Sequence, residues 1–257
     1  MEQLSDLLRQ AWAEGVGFGP ETVLLLNLIV GAAAVVSSLT GFGYALVATP
    51  FLVLLFPPRV VVPTVMVGFM PLAALLVWEA RRQMQWRRIG LWLAGSLAGV
   101  PLGVYALAAA DPDAMRMLIG AVTLLAALTL WLKPARPLRA EKLWAPAVGA
   151  LSGAMGGATG MSGPPVVLFG LNQGWPAAAL RANLIGYFAA KHLVNLGFMA
   201  GFGILNAGTL ALGVAALPGM AAGYFGGIRL KAGLSDRHVR PLAFGLVLAR
   251  GDLAELR

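Results

Sequence analysis

One glycine-rich stretch occurs twice in this chain of 257 residues. The first copy is Gly31-Ala-Ala-Ala-Val-Val-Ser-Ser-Leu-Thr-Gly-Phe-Gly43. The second begins 118 residues later and is Gly149-Ala-Leu-Ser-Gly-Ala-Met-Gly-Gly-Ala-Thr-Gly-Met-Ser-Gly163. Other glycines match at nearly the same offset: Gly68 with Gly186, Gly95 with Gly213, and Gly99 and Gly103 near Gly219 and Gly223. Internal repeats of this kind are typical of secondary transporter folds. They predict a chain built of two related halves.

The composition places both halves in a membrane. Hydrophobic residues make up 59% of the chain and charged residues 12%, whereas soluble domains have about 45–50% and about 25%. Roughly 20 apolar residues span a bilayer, and the uncharged runs are of that order or longer: 22–58, 60–78, 89–110, 117–132, 143–180 and 193–228. We therefore expect an all-α polytopic membrane protein.

The runs predict about ten transmembrane or half-membrane helices, at 22–40, 43–56, 60–80, 89–110, 113–132, 144–159, 164–172, 176–204, 206–228 and 237–250. Five helices per half is an odd number, so the second half must be inverted relative to the first. We expect an N-terminal interfacial segment (1–20), a first five-helix repeat (21–135) and a second (136–257). The first two segments of each half are short enough to be half-helices that meet at mid-depth. Whether they span or re-enter, each pair returns the chain to its starting side.

The basic residues then divide unequally between the two faces. Thirteen fall on one side: Arg81, Arg82, Arg87, Arg88, Lys133, Arg136, Arg139, Lys142, Arg181, Arg229, Lys231, Arg237 and Arg240. Five fall on the other: Arg9, Arg59, Arg116, Arg250 and Arg257. Because basic loops are retained in the cytoplasm, we expect a multi-pass protein of a bacterial inner membrane with both termini periplasmic.

Several function classes lack the residues they need. The chain has no cysteine and two histidines, which leaves no thiolate chemistry and too few ligands for a cysteine or histidine metal cluster. No metal or other cofactor is expected. The net charge of +8 follows from loop asymmetry rather than from a basic stripe, so we expect no nucleic-acid partner.

The most distinctive residues lie at two helix breaks, residues 40–43 and 159–163, called here the first break and the second break. Glycine permits a turn and a close backbone approach. Ser162 is expected to cap the following helix, with Pro164 or Pro165 in its first turn. A helix N-terminus with free N–H groups binds anions. The sequence therefore predicts one anion site made by both breaks, with Thr40, Gly41, Gly43, Thr159, Gly160, Ser162 and Gly163.

Ionisable residues inside a bilayer are costly unless they face a cavity or a partner. Lys191 and His192 lie well inside the eighth expected segment. Lys191 is a candidate for balancing the substrate's charge, and His192 for relaying a proton. The alternatives are a lysine that snorkels to the headgroups and a neutral packing histidine. Asn183 and Asn195 on the same segment are candidate polar contacts.

Taken in order, these motifs resemble the TauE/SafE sulfite exporter family, also called the 4-toluene sulfonate uptake permeases. The resemblance covers essentially the whole chain. It rests on the two breaks, on Gln85-Trp86 after the basic Arg81-Arg82 loop, and on Leu217-Pro218-Gly219 followed by Gly223 and Gly227. It implies a secondary transporter, usually outward, for sulfite or an organosulfonate such as sulfoacetate, and no enzyme activity.

The sequence is also compatible with two other functions. Gly160-Met161-Ser162-Gly163 has the Gly-x-Ser-Gly form of rhomboid intramembrane serine proteases, with His192 as the base; nucleophile and base would then have to meet within hydrogen-bond reach. A passive anion channel is the other. The expected partners are a small anion and the lipid bilayer, and a homodimer is compatible with the sequence.

Overall fold

The computed structural model describes residues 19–131, 138 and 140–233, and these form ten α-helices and no strand. The helices are α1 (Pro20–Thr40), α2 (Tyr44–Leu52), α3 (Pro58–Ala80), α4 (Trp86–Ala109), α5 (Pro112–Trp131), α6 (Glu141–Thr159), α7 (Gly163–Asn172), α8 (Ala177–Gly201), α9 (Ala207–Ala215) and α10 (Leu217–Gly233). Outside the described residues lie the expected interfacial segment up to residue 18, the expected helix at 237–250, and Arg9, Lys133, Arg136, Arg139, Arg237, Arg240, Arg250 and Arg257.

Four helical stretches are long and apolar enough to cross a membrane. They are α1, α3, α4 and Ala207–Leu230, which combines α9 with most of α10. Large apolar side chains also cover the outer surface: Leu102 is 68% exposed, and Leu124 and Leu143 are each 74% exposed. Lipid tails cover such a surface at no cost, whereas water does not. The chain is an all-α polytopic membrane protein, as the sequence predicted.

Two expected helices differ from the observed ones. The segment expected at 43–56 ends as an α-helix at Leu52. Residues 53–55 form turns, in which the Leu54 and Leu55 N–H groups bond carbonyls three residues back, and α3 begins at Pro58. The helix expected at 206–228 is divided at Ala216 into α9 and α10. Pro218 has no N–H for the helical bond at this point. Asn27 of α1 bonds the backbone there instead: its Nδ2 donates to the Ala215 carbonyl (3.0 Å), and its Oδ1 accepts from the Gly219 N–H (2.6 Å).

Each break separates a long helix from a short one. The long helices α1 and α6 have 21 and 19 residues, and the short helices α2 and α7 have 9 and 10. At 1.5 Å per residue, α2 and α7 are about 14–15 Å long, half of a hydrocarbon core of about 30 Å. The short helices are therefore of half-membrane length, whereas α1 and α6 are close to a full span.

Two ladders of glycines hold pairs of long helices together. On α4, a Cβ at Gly95, Gly99 or Gly103 would collide with the α6 backbone at Pro146, Ala150 or Ala154. On α10, a Cβ at Gly219 or Gly223 would collide with the α1 backbone at Asn27 or Gly31. Such close approach is how membrane helices associate through small residues. The two ladders thus join the fourth helix to α6 and the last described helix to α1.

The charged residues of these helices lie in two groups, one at each end of α4. At one end, Arg88 on α4 pairs with Glu141 on α6 (3.2 Å), and Arg181 on α8 pairs with Glu79 on α3 (3.6 Å). At the opposite end of α4, the Arg59 side chain donates to the Leu107 carbonyl (3.1 Å). The α4 helix therefore separates the basic residues near 81–88, 142 and 181 from Arg59.

Candidate functional site

Both breaks use the same backbone geometry. Gly41 ends α1 with φ 82°, and Gly160 ends α6 with φ 77°. Their N–H groups donate back to Ser37 (2.8 Å) and Gly156 (2.9 Å). Gly43, at the start of α2, also has a positive φ, of 93°. Left-handed geometry costs an L-residue about 1–2 kcal/mol, so glycine is the residue that suits these turns.

The two threonines also make the same pair of hydrogen bonds. The Thr40 hydroxyl donates to the Val36 carbonyl (2.9 Å) and accepts from the Phe42 N–H (3.2 Å), and it also lies within donating distance of the Phe42 carbonyl (2.5 Å). The Thr159 hydroxyl donates to Met155 (2.7 Å) and accepts from Met161 (3.2 Å). Both hydroxyls therefore close their turns within the protein.

A cavity of about 30 Å³ lies between the breaks. A cavity needs about 10–15 Å³ for each water molecule, so this one has room for about two. Its lining comes from the first break and α2 (Phe42, Gly43, Tyr44, Ala45, Leu46), from the second break (Gly160, Met161, Ser162, Gly163), and from Phe69, Phe188 and His192. Five of the residues predicted from the sequence thus meet at one cavity: Gly43, Gly160, Ser162, Gly163 and His192.

The two short helices offer different numbers of backbone donors to this cavity. The first four N–H groups of a helix have no partner within it. At α2 those four positions are Gly43 to Leu46, and all have an N–H. At α7 two of the four positions are Pro164 and Pro165, which lie in the first turn as expected and have no N–H.

The prediction that Ser162 caps α7 is wrong, because the Ser162 side chain makes no hydrogen bond to the first turn. With φ −106° and ψ −3°, this residue lacks the extended backbone of most capping residues.

One ring nitrogen of His192 bonds the backbone of its own helix. Its Nδ1 lies 2.6 Å from the Phe188 carbonyl, and because a carbonyl only accepts, Nδ1 carries the hydrogen. In the neutral ring Nε2 is then an acceptor. The ring packs on Phe69 (4.9 Å between centroids), which packs on Tyr44 (5.2 Å). The Tyr44 hydroxyl is buried without a hydrogen-bond partner. The sequence interpretation missed this residue, although Tyr44 directly follows the glycine of the first break.

Lys191 lies immediately behind the second break. Its side chain is fully buried, and its Nζ has no hydrogen-bond partner. A Cβ on Gly156 would occupy the place next to this Nζ and would lie 3.1 Å from the Ser162 Oγ. The missing side chain of Gly156 therefore makes room for the amine beside Ser162. This placement excludes snorkelling of Lys191 in the described conformation.

Besides Lys191, four of the predicted residues do not line the cavity: Thr40, Gly41, Thr159 and Asn183. A Cβ at Gly41 would meet Cγ of Arg181 at 2.7 Å, on the side where Thr40 and Arg181 line a separate void of about 10 Å³. Asn183, on α8, bonds Gln85, which immediately precedes α4. Its Oδ1 accepts from the Gln85 N–H (2.7 Å), and its Nδ2 donates to the Gln85 Oε1 (3.3 Å). Asn183 thus ties the α3–α4 turn to α8.

Ser162 and His192 line the same cavity but share no hydrogen bond. The Ser162 carbonyl accepts from the Ser152 hydroxyl (2.6 Å), which in turn accepts from the Tyr187 hydroxyl (2.9 Å). Neither Ser152 nor Tyr187 was singled out from the sequence. The signal for Tyr187 is the four-residue spacing of Asn183, Tyr187, Lys191 and Asn195, which places the four on one face of α8; Ser152 has no such signal.

Comparison with known proteins agrees with the sequence resemblance. The family described as Sulfite exporter TauE/SafE matches residues 26–251. The chain is also 28% identical, over 236 residues, to a Cupriavidus necator protein named "Probable sulfite/organosulfonate exporter TauE"; the match covers 89% of this chain and 92% of that protein. No solved structure gives a significant match. The chain belongs to the TauE/SafE sulfite exporter family.

Proposed function

We propose that this chain is a secondary transporter that exports a small sulfur oxyanion, sulfite or an organosulfonate, across a bacterial inner membrane. The observation that carries the proposal is a cavity that both breaks line, with Gly43 and Ala45 on one side and Gly160 and Ser162 on the other. The Cupriavidus necator relative carries the name of a sulfite/organosulfonate exporter. An oxyanion is the ligand that a helix N-terminus in a membrane protein suits.

The chemistry of the cavity fits a small anion. The first turn of α2 offers four backbone N–H groups together with the positive end of its dipole. The Ser162 hydroxyl adds a donor from the second break, and Lys191 beside it supplies the balancing charge. The cavity of about 30 Å³ is smaller than a sulfonate, so the anion enters when the two breaks separate.

The two halves form inverted repeats in this proposal, with residues 21–135 as the first and 136–257 as the second. The glycine ladders support it, because each joins the fourth segment of one half to the first segment of the other: α4 to α6, and α10 to α1. The equivalent bonds of Thr40 and Thr159 support it too. Separation of the two breaks then exposes the cavity to one side at a time.

The proposed orientation has both termini in the periplasm. It rests on the thirteen-to-five division of basic residues. Cysteines introduced at Arg82 and Asp111 test it, because the native chain has none. In intact cells, an impermeant maleimide is expected to label Asp111→Cys and to spare Arg82→Cys. The opposite pattern would reverse the orientation.

The function is tested by flux through the purified protein in proteoliposomes. We expect saturable movement of labelled sulfite or a small organosulfonate, with competition among these anions. Non-saturable flux would favour the passive channel instead. Absence of flux for every sulfur oxyanion tested would reject the proposal.

A second candidate is an intramembrane serine protease, because Ser162 and His192 line one cavity. Removing a catalytic nucleophile lowers activity by several orders of magnitude. Cleavage of a transmembrane peptide by the wild type, lost in Ser162→Ala and accompanied by no anion flux in either protein, would establish this candidate. We expect no cleavage by either protein.

A further inference from the structure

One face of α8 carries four buried polar side chains at every fourth position: Asn183, Tyr187, Lys191 and Asn195. Each has an exposed fraction of 0%. Residues four apart lie above one another on a helix, so these side chains form a row, called here the α8 polar row. It begins at the α3–α4 turn, where Asn183 bonds Gln85, and extends past the second break. Polar groups kept inside a membrane protein mark functional sites.

The deeper half of the α8 polar row is unpaired. Nζ of Lys191 and both amide atoms of Asn195 have no hydrogen-bond partner. Among residues 19–131 and 140–230, Lys191 is the cation whose side chain is completely buried. The three ion pairs of these residues join other groups, at the helix ends. The amine is therefore enclosed by protein without an acid to balance a charge.

The surroundings of Lys191 confirm that no acid is close. The helices packed against α8 are α3, α4, α6 and α7. Their charged residues lie near the helix ends: Arg59 and Glu79 on α3, Arg87 and Arg88 on α4, and Glu141 and Lys142 on α6, while α7 has none. On α8 itself, Arg181 is paired with Glu79 (3.6 Å), and the titratable neighbours are Tyr187 and His192. The phenol of Tyr187 and the imidazole of His192 do not balance the positive charge of an ammonium.

A buried ammonium without a partner is strongly disfavoured in a membrane. The same ammonium beside a bound monovalent anion forms a neutral pair. Resting on the function proposed above, we propose that Lys191 couples transport to protons: it is an ammonium while the anion is bound beside Ser162 and a neutral amine when the site is empty, so each anion crosses with one proton.

The proton balance of this cycle involves only water. On the loading side, Nζ of the amine takes a proton from water as the anion binds, and one N–H bond forms. On the release side, the anion leaves, the same N–H bond breaks, and the proton returns to water. The empty site then carries no unpaired charge during its return. The Tyr187 hydroxyl, one turn away, is bonded through Ser152 to the second break. In the α8 polar row, Tyr187 lies between Lys191 and Asn183.

The test measures protons and anions together for the full-length protein in proteoliposomes. The substrate is an alkanesulfonate, because it keeps one negative charge at every pH used and cannot itself carry the proton. With a pH indicator inside the vesicles, we expect one proton to move with each sulfonate. The rate should not change when the membrane potential is set with a potassium ionophore.

The variant Lys191→Arg separates binding from proton release. A guanidinium balances the anion but is not deprotonated in proteins. We expect exchange of labelled for unlabelled sulfonate to continue, and net efflux to be lost. Should this variant fail to fold, Gly156→Ala displaces the amine, because the new Cβ would collide with Nζ, and Gly197→Ala on α8 is its control, with nothing within 4 Å. Proton-coupled flux should then fall in Gly156→Ala alone.

Two results would overturn the inference. Wild-type flux without protons, driven by the membrane potential, would overturn it while leaving the proposed transporter intact. Equal net efflux by wild type and Lys191→Arg would do the same. Absence of any sulfonate or sulfite flux in the wild type would overturn both proposals together.

Discussion

The first break and the second break have the same turn but contribute different groups to the cavity. Each ends a long helix in a left-handed glycine, Gly41 or Gly160, and closes the turn with a threonine hydroxyl. The first break is followed by four backbone N–H groups. The second break is followed by two fewer N–H groups, because Pro164 and Pro165 have none, but it has the Ser162 hydroxyl with Lys191 next to it.

In the proposed anion site, this difference gives the two breaks separate roles. The features common to both breaks are those that fix the backbone, the glycines and threonines. The features that differ are the hydrogen-bond donors at the cavity and the amine of Lys191 beside Ser162. A substitution of either threonine should therefore affect stability to the same extent, whereas a substitution among the groups that differ should affect anion binding.

The largest effect is expected from Gly160→Leu. The leucine adds the cost of a left-handed residue, about 1–2 kcal/mol, and its side chain fills the cavity of about 30 Å³. We expect the protein to insert in the membrane and to lose anion flux. The measurement is saturable sulfonate uptake into proteoliposomes at equal protein content.

The matched control is Gly174→Leu in the α7–α8 turn. Gly174 also has a positive φ, of 65°, but a Cβ there meets nothing within 4 Å. The Gly174→Leu variant therefore has the same backbone cost but does not fill the cavity, and we expect it to retain anion flux. Equal loss of flux in both variants would show that backbone strain, and not the cavity, is responsible.

A smaller and equal effect is expected from Thr40→Val and Thr159→Val. Each removes a hydroxyl that makes two hydrogen bonds to its own turn. At about 1 kcal/mol per bond, each should lower the free energy of unfolding by about 1–2 kcal/mol. Thermal unfolding in detergent measures both variants. A clear difference between them would mean that the two turns are not equivalent.

The smallest effect is expected from Ser162→Ala. The hydroxyl makes no capping bond, so stability should be unchanged. Loss of one hydrogen bond to the anion costs about 1 kcal/mol, or about fivefold in affinity. Competition for sulfonate uptake gives this affinity. A loss of unfolding stability with unchanged affinity would assign the hydroxyl to the turn rather than to the anion.

Much of the helical layout could be predicted from the sequence, because uncharged runs and proline or glycine punctuation fix where membrane helices begin and end. The division of Ala207–Leu230 could not. Pro218 marks the place, but the division is completed by Asn27, which lies 192 positions before Gly219 and accepts a hydrogen bond from its N–H. Such a contact has no local signature in the chain.

The sequence predicted some of the residues that line the cavity. These are Gly43, Gly160, Ser162, Gly163 and His192, whereas Gly41 faces Arg181. Asn183 was placed there by its polarity, yet it bonds Gln85 at the end of α4. Tyr44 was missed because a tyrosine beside a glycine break does not differ from a packing residue until its hydroxyl is found unpaired.

The most direct test of the anion site is a structure of the protein with a bromine-labelled alkanesulfonate, in which anomalous scattering locates the bromine. The proposed site predicts a bromine within contact distance of the cavity, with the sulfonate between the first turn of α2 and Ser162. A sulfonate bound instead at the void beside Thr40 and Arg181, or no bound sulfonate at concentrations that saturate flux, would contradict it.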